Sequence, residues 1–223
     1  MEIRELSLFS NNIDKQEEFY KNVLGFHCLR KSDNLLEIRT KENKLIFEKT
    51  NKKLFYHFAF LIPTRSLESA ISFMEEKHIT LLQCEGKSII RWSDTFSGSS
   101  FYFYDKDENI VEFVERPILN YQSSSDFSID SIIKLNEIGL SVLNPKKMAE
   151  ELMTKYGITP SNKNRINNQF CWTGDYNGVI IVVKKGRKWY PTERSGITND
   201  FTIKYFDSGK EYKLKFEDSK IIQ

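Results

Sequence analysis

One pattern occurs three times in this chain: a short apolar strand, a polar break, an amphipathic helix and a stop. The first copy is ELSLFSNNIDKQEEFYKNVLG, Glu5 to Gly25. The second starts at His57 as HFAFLIPTRSLESAISFMEEKHI, and the third, EIGLSVLNPKKMAEELMTKYG, spans Glu137 to Gly157. The first and third copies have equal spacing from opening Glu to closing Gly. An internal repeat constrains the fold before any single element does.

Side chains alternate between the two faces of a strand. Leu6 and Leu8, then Phe58, Phe60 and Ile62, then Ile138, Leu140 and Val142 make one apolar face in each copy, ready to pack on the helix that follows. The opposite face opens with an ionisable residue (Glu5, His57 or Glu137) and continues with a small one (Ser7, Ala59 or Gly139). A small residue beside a possible ligand leaves room for something to approach, as in a cleft wall. Glu137 reads as an ordinary solvent-facing strand residue. For Glu5 and His57 the cleft role and the ordinary role stand side by side.

The first helix is expected over Ile13 to Val23, capped by Asn11 or Asn12 and stopped by Gly25. Strand-like runs follow at Phe26–Arg30, Leu35–Arg39 and Lys44–Lys49. The second unit repeats this order, with a strand at Tyr56–Ile62 and a Ser66-capped helix over Leu67–Lys77. Its later strands fall at Thr80–Cys84, Ser88–Trp92, Ser100–Tyr104 and Ile110–Glu115. The Ser- and Asp-rich stretch 117–131 reads as a linker between a two-unit domain, 1–116, and a third unit, 132–223. That third unit has Asn144 as cap, Pro145 in the first turn and Gly157 as stop, then strands at Gln169–Thr173 and Val179–Lys184. Trp189-Tyr190-Pro191 closes the segment. A hairpin joined through Asp207-Ser208-Gly209 ends the chain, so a fourth unit is at most a fragment.

The chain's 223 residues suffice for one large domain or two small ones, and a net charge of +2 gives no argument for nucleic acid or membrane. The basic cluster Lys184, Lys185, Arg187 and Lys188 reads as a solvated strand end. No apolar run at the start suggests a signal peptide or anchor. Cys28, Cys84 and Cys171 are scattered and form no disulfide or metal framework, which fits a reducing, cytoplasmic setting.

Two segments resemble the vicinal oxygen chelate superfamily, which includes glyoxalase I, fosfomycin- and bleomycin-resistance proteins and extradiol dioxygenases. FYKNVLGF, Phe19 to Phe26, is similar to the family's helix end, and FYFYDKDENIVEFVE, Phe101 to Glu115, to its last hairpin. The resemblance implies an α+β fold of repeated βαβββ modules. Two of them form a curled-sheet cleft, accompanied by a third module and a truncated C-terminal hairpin. It also implies a divalent metal held by residues on the first and last strands of each module. Carried over, those positions fall on Glu5, His57 and Glu112, with Glu48 a weaker candidate beside Ile46. Glu5 replaces the usual His, and DKDEN lacks the family's Pro and Gly, so Asn109 is expected to supply the left-handed residue. In the third module the last-strand position reads Ile181, which leaves Glu137 without a partner and the module without a metal.

One imidazole and two carboxylates suit Mn²⁺, Mg²⁺, Fe²⁺, Ni²⁺ or Zn²⁺ and lack the second His of the usual extradiol dioxygenase triad. His27 and His78 read as surface residues. Such an ion would polarise a substrate oxygen, with Glu112 or Glu5 as proton acceptor. Tyr102, Tyr104, Arg91 and Trp92 are the candidate substrate contacts. Three readings follow: a metal-dependent lyase, isomerase or transferase acting on a small oxygenated molecule; a metal-free binding protein with an aromatic cleft; or a structural module with a decayed site. A monomer or homodimer is expected.

Overall fold

The computed structural model describes residues 1–92, 98–123, 126–158 and 166–222. Its first unit comprises β1 (Glu2–Ser10), α1 (Ile13–Glu17) widening into a π turn over Glu18–Val23, β2 (His27–Ser32), β3 (Leu35–Arg39) and β4 (Lys44–Lys49). The second comprises β5 (His57–Ile62), α2 (Leu67–Glu76), the two-residue strands β6 (Leu81–Leu82) and β7 (Ile90–Arg91), β8 (Ser99–Tyr104) and β9 (Ile110–Glu115). The third has β10 (Lys134–Val142), α3 (Pro145–Tyr156), β11 (Phe170–Asp175) and β12 (Gly178–Lys184). A meander of β13 (Phe201–Asp207), β14 (Lys210–Glu217) and β15 (Lys220–Ile221) follows. Asn12 and Asn144 cap their helices by accepting the amides of Lys15 and Lys147. Ser66 instead donates to the Pro63 carbonyl.

These strands form two mixed sheets in an α+β fold. One has the order β15-β14-β13-β1-β4-β3-β2; the other runs β11-β12-β10-β5-β9-β8-β6, with β7 beside β8. The pairing corrects the expected cleft between the first two units. The free edge of β1 is taken by β13 of the C-terminal meander, and the free edge of β5 by β10 of the third unit. The first strands of the units share one pattern, so sequence alone left their edges interchangeable. Burial separates them: β5 and β10 are buried along their whole lengths, whereas β14 alternates between exposed and buried positions. A strand covered on both faces requires apolar or small residues, or polar ones with partners such as Lys134, Asn136 and Glu137 of β10, and a half-solvated one does not.

In the segment read as a linker, Ile118 is exposed while Phe127 and Ile129 are buried. Phe127 stacks edge-on against Phe73, and Ile129 joins the main core. Residues 124–125 of that segment lie outside the described residues. The left-handed residue of the DKDEN turn is Glu108, with φ 60°, and not Asn109. The Asn109 amide is committed elsewhere: it accepts from Tyr56 N (2.8 Å) and donates to Asp105 Oδ2 (2.8 Å).

Two β-bulges occupy matching places, between Ile3 and Glu5 on β1 and between Leu135 and Glu137 on β10. Buried Asn43 ties them together. Its amide nitrogen donates to the carbonyls of Ile3 and Leu135 (3.0 Å each), and its oxygen accepts from Leu135 N (2.8 Å). A bulge re-aims the side chains beside it, and the one on β10 shapes the site described next.

Candidate metal centre in the cleft of the second sheet

On the second sheet, Ala59 of β5 lies between two acids. Its cross-strand neighbour on β9 is Glu112 and its neighbour on β10 is Glu137. His57, two residues earlier, shares its face. Adjacent strands lie about 4.8 Å apart, so carboxylates one strand to either side can lean over a methyl group toward each other. The His57, Glu112 and Glu137 donor atoms all lie within 4.8 Å of one another. The three residues are 5%, 3% and 4% exposed, respectively, in a protein that keeps most of its acids at the surface.

The geometry assigns the imidazole tautomer. His57 Nδ1 lies 3.2 Å from the Ile110 carbonyl, which can only accept, so Nδ1 carries the proton. The lone pair of neutral Nε2 then points toward Glu112 Oε2 at 3.5 Å. Two acceptors facing each other in a dry interior need a proton or a cation between them. Burial holds the imidazole below its ordinary pKa, against the pull of the Glu137 charge and the Ile110 carbonyl. Burial and the Glu137 charge push Glu112 up to about 8, although the Ser100 and Tyr102 hydroxyls and the Arg116 charge work the other way.

Arg116, just past β9, is buried with the acids. It donates from Nε to Asn136 Oδ1 (2.8 Å) and from an Nη to Glu137 Oε1. Successive strand residues normally face opposite ways, and the bulge is what lets Asn136 and Glu137 both reach the same guanidinium. Since Arg116 takes Oε1, Glu137 keeps Oε2 to offer. The guanidinium also lies over Trp172, 5.2 Å from the ring centroid.

The cluster forms the floor of a cavity of 340 Å³, within the range of small-molecule pockets. All three tryptophans of the chain, Trp92, Trp172 and Trp189, line it together with Tyr102, Phe170 and Tyr190. Trp189 packs on His57, with centroids 5.1 Å apart. A Cβ on Gly139 would meet Trp189 Cη2 at 2.5 Å, so what the small residue at Gly139 admits is this indole. Trp92 donates to Ser100 Oγ (2.7 Å), and Ser100 Oγ lies 3.3 Å from the Tyr102 hydroxyl, beside Glu112.

His57 and Glu112, chosen from sequence, do converge. Glu5 does not join them. It lies on the first sheet, flanked on β4 and β13 by Lys44 (3.0 Å) and Lys204 (2.8 Å). Despite its burial, those two ammonium groups hold its carboxyl below the usual range. Ile46 and Glu48 stay in that sheet as well. Glu137, read as a solvent-facing residue without a partner, is buried in the cluster instead. Its signal was present as the ionisable residue opening the third repeat; what was missing was that the second and third units share a sheet. Tyr102 and Trp92 line the cavity. Tyr104 sits outside it with the Arg194 guanidinium 5.8 Å from its ring centroid, and Arg91 is exposed beside Glu68. Besides Arg116, the cavity is lined by Arg187, from the basic cluster set aside as a strand end.

Neither a protein-family model nor a curated protein matches this sequence. The structure superposes on a protein from Bacillus subtilis subsp. subtilis str. 168 described as a "putative dioxygenase", with a TM-score of 0.56 at 16% identity. The match covers 82% of this chain and 63% of that one. What the two proteins share is the α+β fold of mixed sheets. Half-length similarities of the same kind extend to a lactoylglutathione lyase from Agrobacterium tumefaciens (TM-score 0.45, 19% identity, 54% of this chain and 97% of that one). They also include a glyoxalase/bleomycin resistance protein/dioxygenase from Alicyclobacillus acidocaldarius (0.43, 14%, 52% and 91%). At such identities the likeness is one of fold. His57, Glu112 and Glu137 lie on β5, β9 and β10, and Ile181 of β12 pairs with Gly139 beside them. Among the described residues, no helix is long and apolar enough to cross a membrane.

Proposed function

We propose that the cleft binds a small oxygenated molecule at a divalent metal held by His57, Glu112 and Glu137. The observation carrying this reading is the Nε2 lone pair of His57 aimed at a buried carboxylate 3.5 Å away, with its Nδ1–H fixed on a carbonyl. A metal-binding histidine is ordinarily oriented in this way, by a hydrogen bond from its other nitrogen. When bound, the ion would act as a Lewis acid toward a ligand oxygen. With one imidazole and two carboxylates, the donor set suits an ion that accepts oxygen ligands, and it lacks the second histidine of the usual extradiol dioxygenase triad.

The chain's own residues supply the rest. Arg116 offsets the charge of Glu137 and fixes its orientation. The Tyr102 hydroxyl, kept protonated by burial and by the neighbouring Glu112 charge, holds Glu112. The indoles of Trp172 and Trp189 exclude water. Glu112, kept as a carboxylate when a cation is present, would be the proton acceptor of the cleft, which suits a lyase, isomerase or transferase that moves a proton beside an oxygen. The high proton affinity of Glu112 favours one competing reading. In it a proton, not a metal, joins Glu112 to His57 Nε2, and the cleft is a metal-free binding site.

Elemental analysis separates the two. Protein stripped with EDTA and refilled with Mn²⁺, Ni²⁺, Fe²⁺ or Zn²⁺ should retain about one ion per chain, the occupancy of a single three-residue site. The Glu112→Gln variant should lose it and Glu5→Gln should keep it. No retained ion in wild-type protein, or retention in Glu112→Gln, would reject the metal.

A further inference from the structure

Aromatic rings and one guanidinium without an acidic partner among the described residues define what the cleft can accept. Its walls are six rings: Trp92, Tyr102, Phe170, Trp172, Trp189 and Tyr190. Several are held in place by one another or by cations. Trp92 meets Tyr190 edge-on at 5.5 Å, and Arg187 lies over Phe170 at 5.4 Å. Rings fixed in this way present flat apolar faces to an occupant, and flat conjugated molecules match them better than branched aliphatic ones.

The charge at the rim is positive. Lys184, Lys185, Arg187 and Lys188 are exposed on the strand end and loop that follow β12. Lys188 pairs with Glu193, but no acidic partner accompanies Lys184, Lys185 or Arg187 among the described residues. Of these, Arg187 lines the cavity. Its backbone is fixed, because its carbonyl accepts from Gly196 N (2.8 Å) and Gly186 N donates to the Gly196 carbonyl (2.9 Å). Arg116, the other guanidinium of the cavity, is committed to Glu137 and Asn136. Arg187 is therefore the group left to receive an anion, and a guanidinium pairs with carboxylate or phosphate oxygens through two parallel hydrogen bonds.

We infer that the occupant is a planar aromatic anion: its rings lie among the tryptophans and its carboxylate or phosphate group meets Arg187 at the rim. This rests on the cleft being the ligand site and not on the metal. It also gives a role to the basic cluster that sequence reading treated as a solvated strand end.

The test uses four probes with the full chain, by isothermal titration calorimetry, in EDTA and again after metal refilling. 2-Naphthoate should bind about tenfold more tightly than neutral 2-naphthamide, the factor expected of one charge-assisted pair. Decahydro-2-naphthoate, with the same carbon skeleton and charge but no flat ring, should bind several-fold more weakly than 2-naphthoate. 2-Naphthyl phosphate tests whether phosphate is preferred to carboxylate; affinity at or above that of 2-naphthoate is expected. Arg187 is exposed, so Arg187→Gln should fold normally and erase the advantage of naphthoate over naphthamide without weakening naphthamide. Arg187→Lys should keep part of it. Equal affinities for naphthoate and naphthamide, an unchanged ratio in Arg187→Gln, or equally tight binding of the saturated acid would each overturn the inference. Neither aromatic anion binding would do the same. Ion content measured on the same samples stands apart: protein that takes naphthoate but no metal keeps this inference and loses the metal assignment, and the converse result does the opposite.

Discussion

Replacing Glu112 by Gln should remove one specific slope from the pH dependence of stability. In the folded, metal-free protein the Glu112 carboxyl is pushed up to about 8, and in the unfolded chain it returns to an ordinary value near 4.5. Folding therefore favours its protonated form. The associated stability is fully present below pH 4.5 and is lost as pH rises through 8. His57 works in the opposite direction, because burial lowers its pKa from 6.5. Its effect ends above that value, which leaves the window from pH 6.5 to 9 to Glu112. Integrating the linkage relation over that window gives a loss of about 2 kcal/mol. In Glu112→Gln the amide replaces the carboxylic proton as donor toward His57 Nε2 and does not titrate. Urea unfolding of both proteins in EDTA at pH 6.5, 7.5, 8 and 9 measures the difference directly, since every other titrating group is common to the two. The wild type should lose about 2 kcal/mol relative to the variant, and saturating metal should abolish that loss. Parallel pH profiles for the two proteins would refute the buried, carboxyl-to-imidazole arrangement.

Other perturbations address the neighbours of the cluster. Glu137→Gln leaves Arg116 buried without its counter-charge and should cost about 3–5 kcal/mol whether or not metal is present, with Arg116→Met in the same chain recovering most of it; denaturant titration of the single and double variants checks this. Gly139→Ala sets a methyl 2.5 Å from Trp189 Cη2, so the indole must move off His57. A loss of about 1–3 kcal/mol together with a changed near-ultraviolet circular dichroism spectrum is expected. Of the thiols, Cys28 is buried and pushed up to about 12, and Cys171 is buried and raised, whereas Cys84 is partly exposed at the rim beside Tyr190. Folded protein should react with Ellman's reagent at Cys84 alone, and denatured protein at all three cysteines.

Much of this architecture was legible because local signals agreed with the tertiary result. Asn144, Pro145 and Gly157 bound their helix, Gly25 takes the left-handed stop with φ 89°, and the C-terminal hairpin turns at Ser208-Gly209. His57 stood out as an ionisable residue opening a strand, and Glu112 as the position carried over from the family resemblance. Other features were hidden. The weak strands expected around residues 80–92 shrink to β6 and β7, because short runs with mixed exposure pair with β8 over only two residues each. The π turn at Glu18–Val23 has no sequence signature of its own, although buried Tyr20 within it reaches Asp105 across the fold.

The sequence by itself determined the repeat, the apolar face of each unit and the place of His57 at the head of a strand, because these depend on neighbours a few positions away. Which strand edge meets which was decided only in three dimensions. β1, β5 and β10 carry nearly the same alternation, and only the packed structure joins β5 to β10 and gives β1 to the C-terminal meander. That choice placed Glu137 across Ala59 from Glu112, left Glu5 to two lysines and brought Arg187 to the rim of the cleft. Contacts between residues far apart along the chain are set by whole surfaces burying together, which no local pattern of side chains encodes.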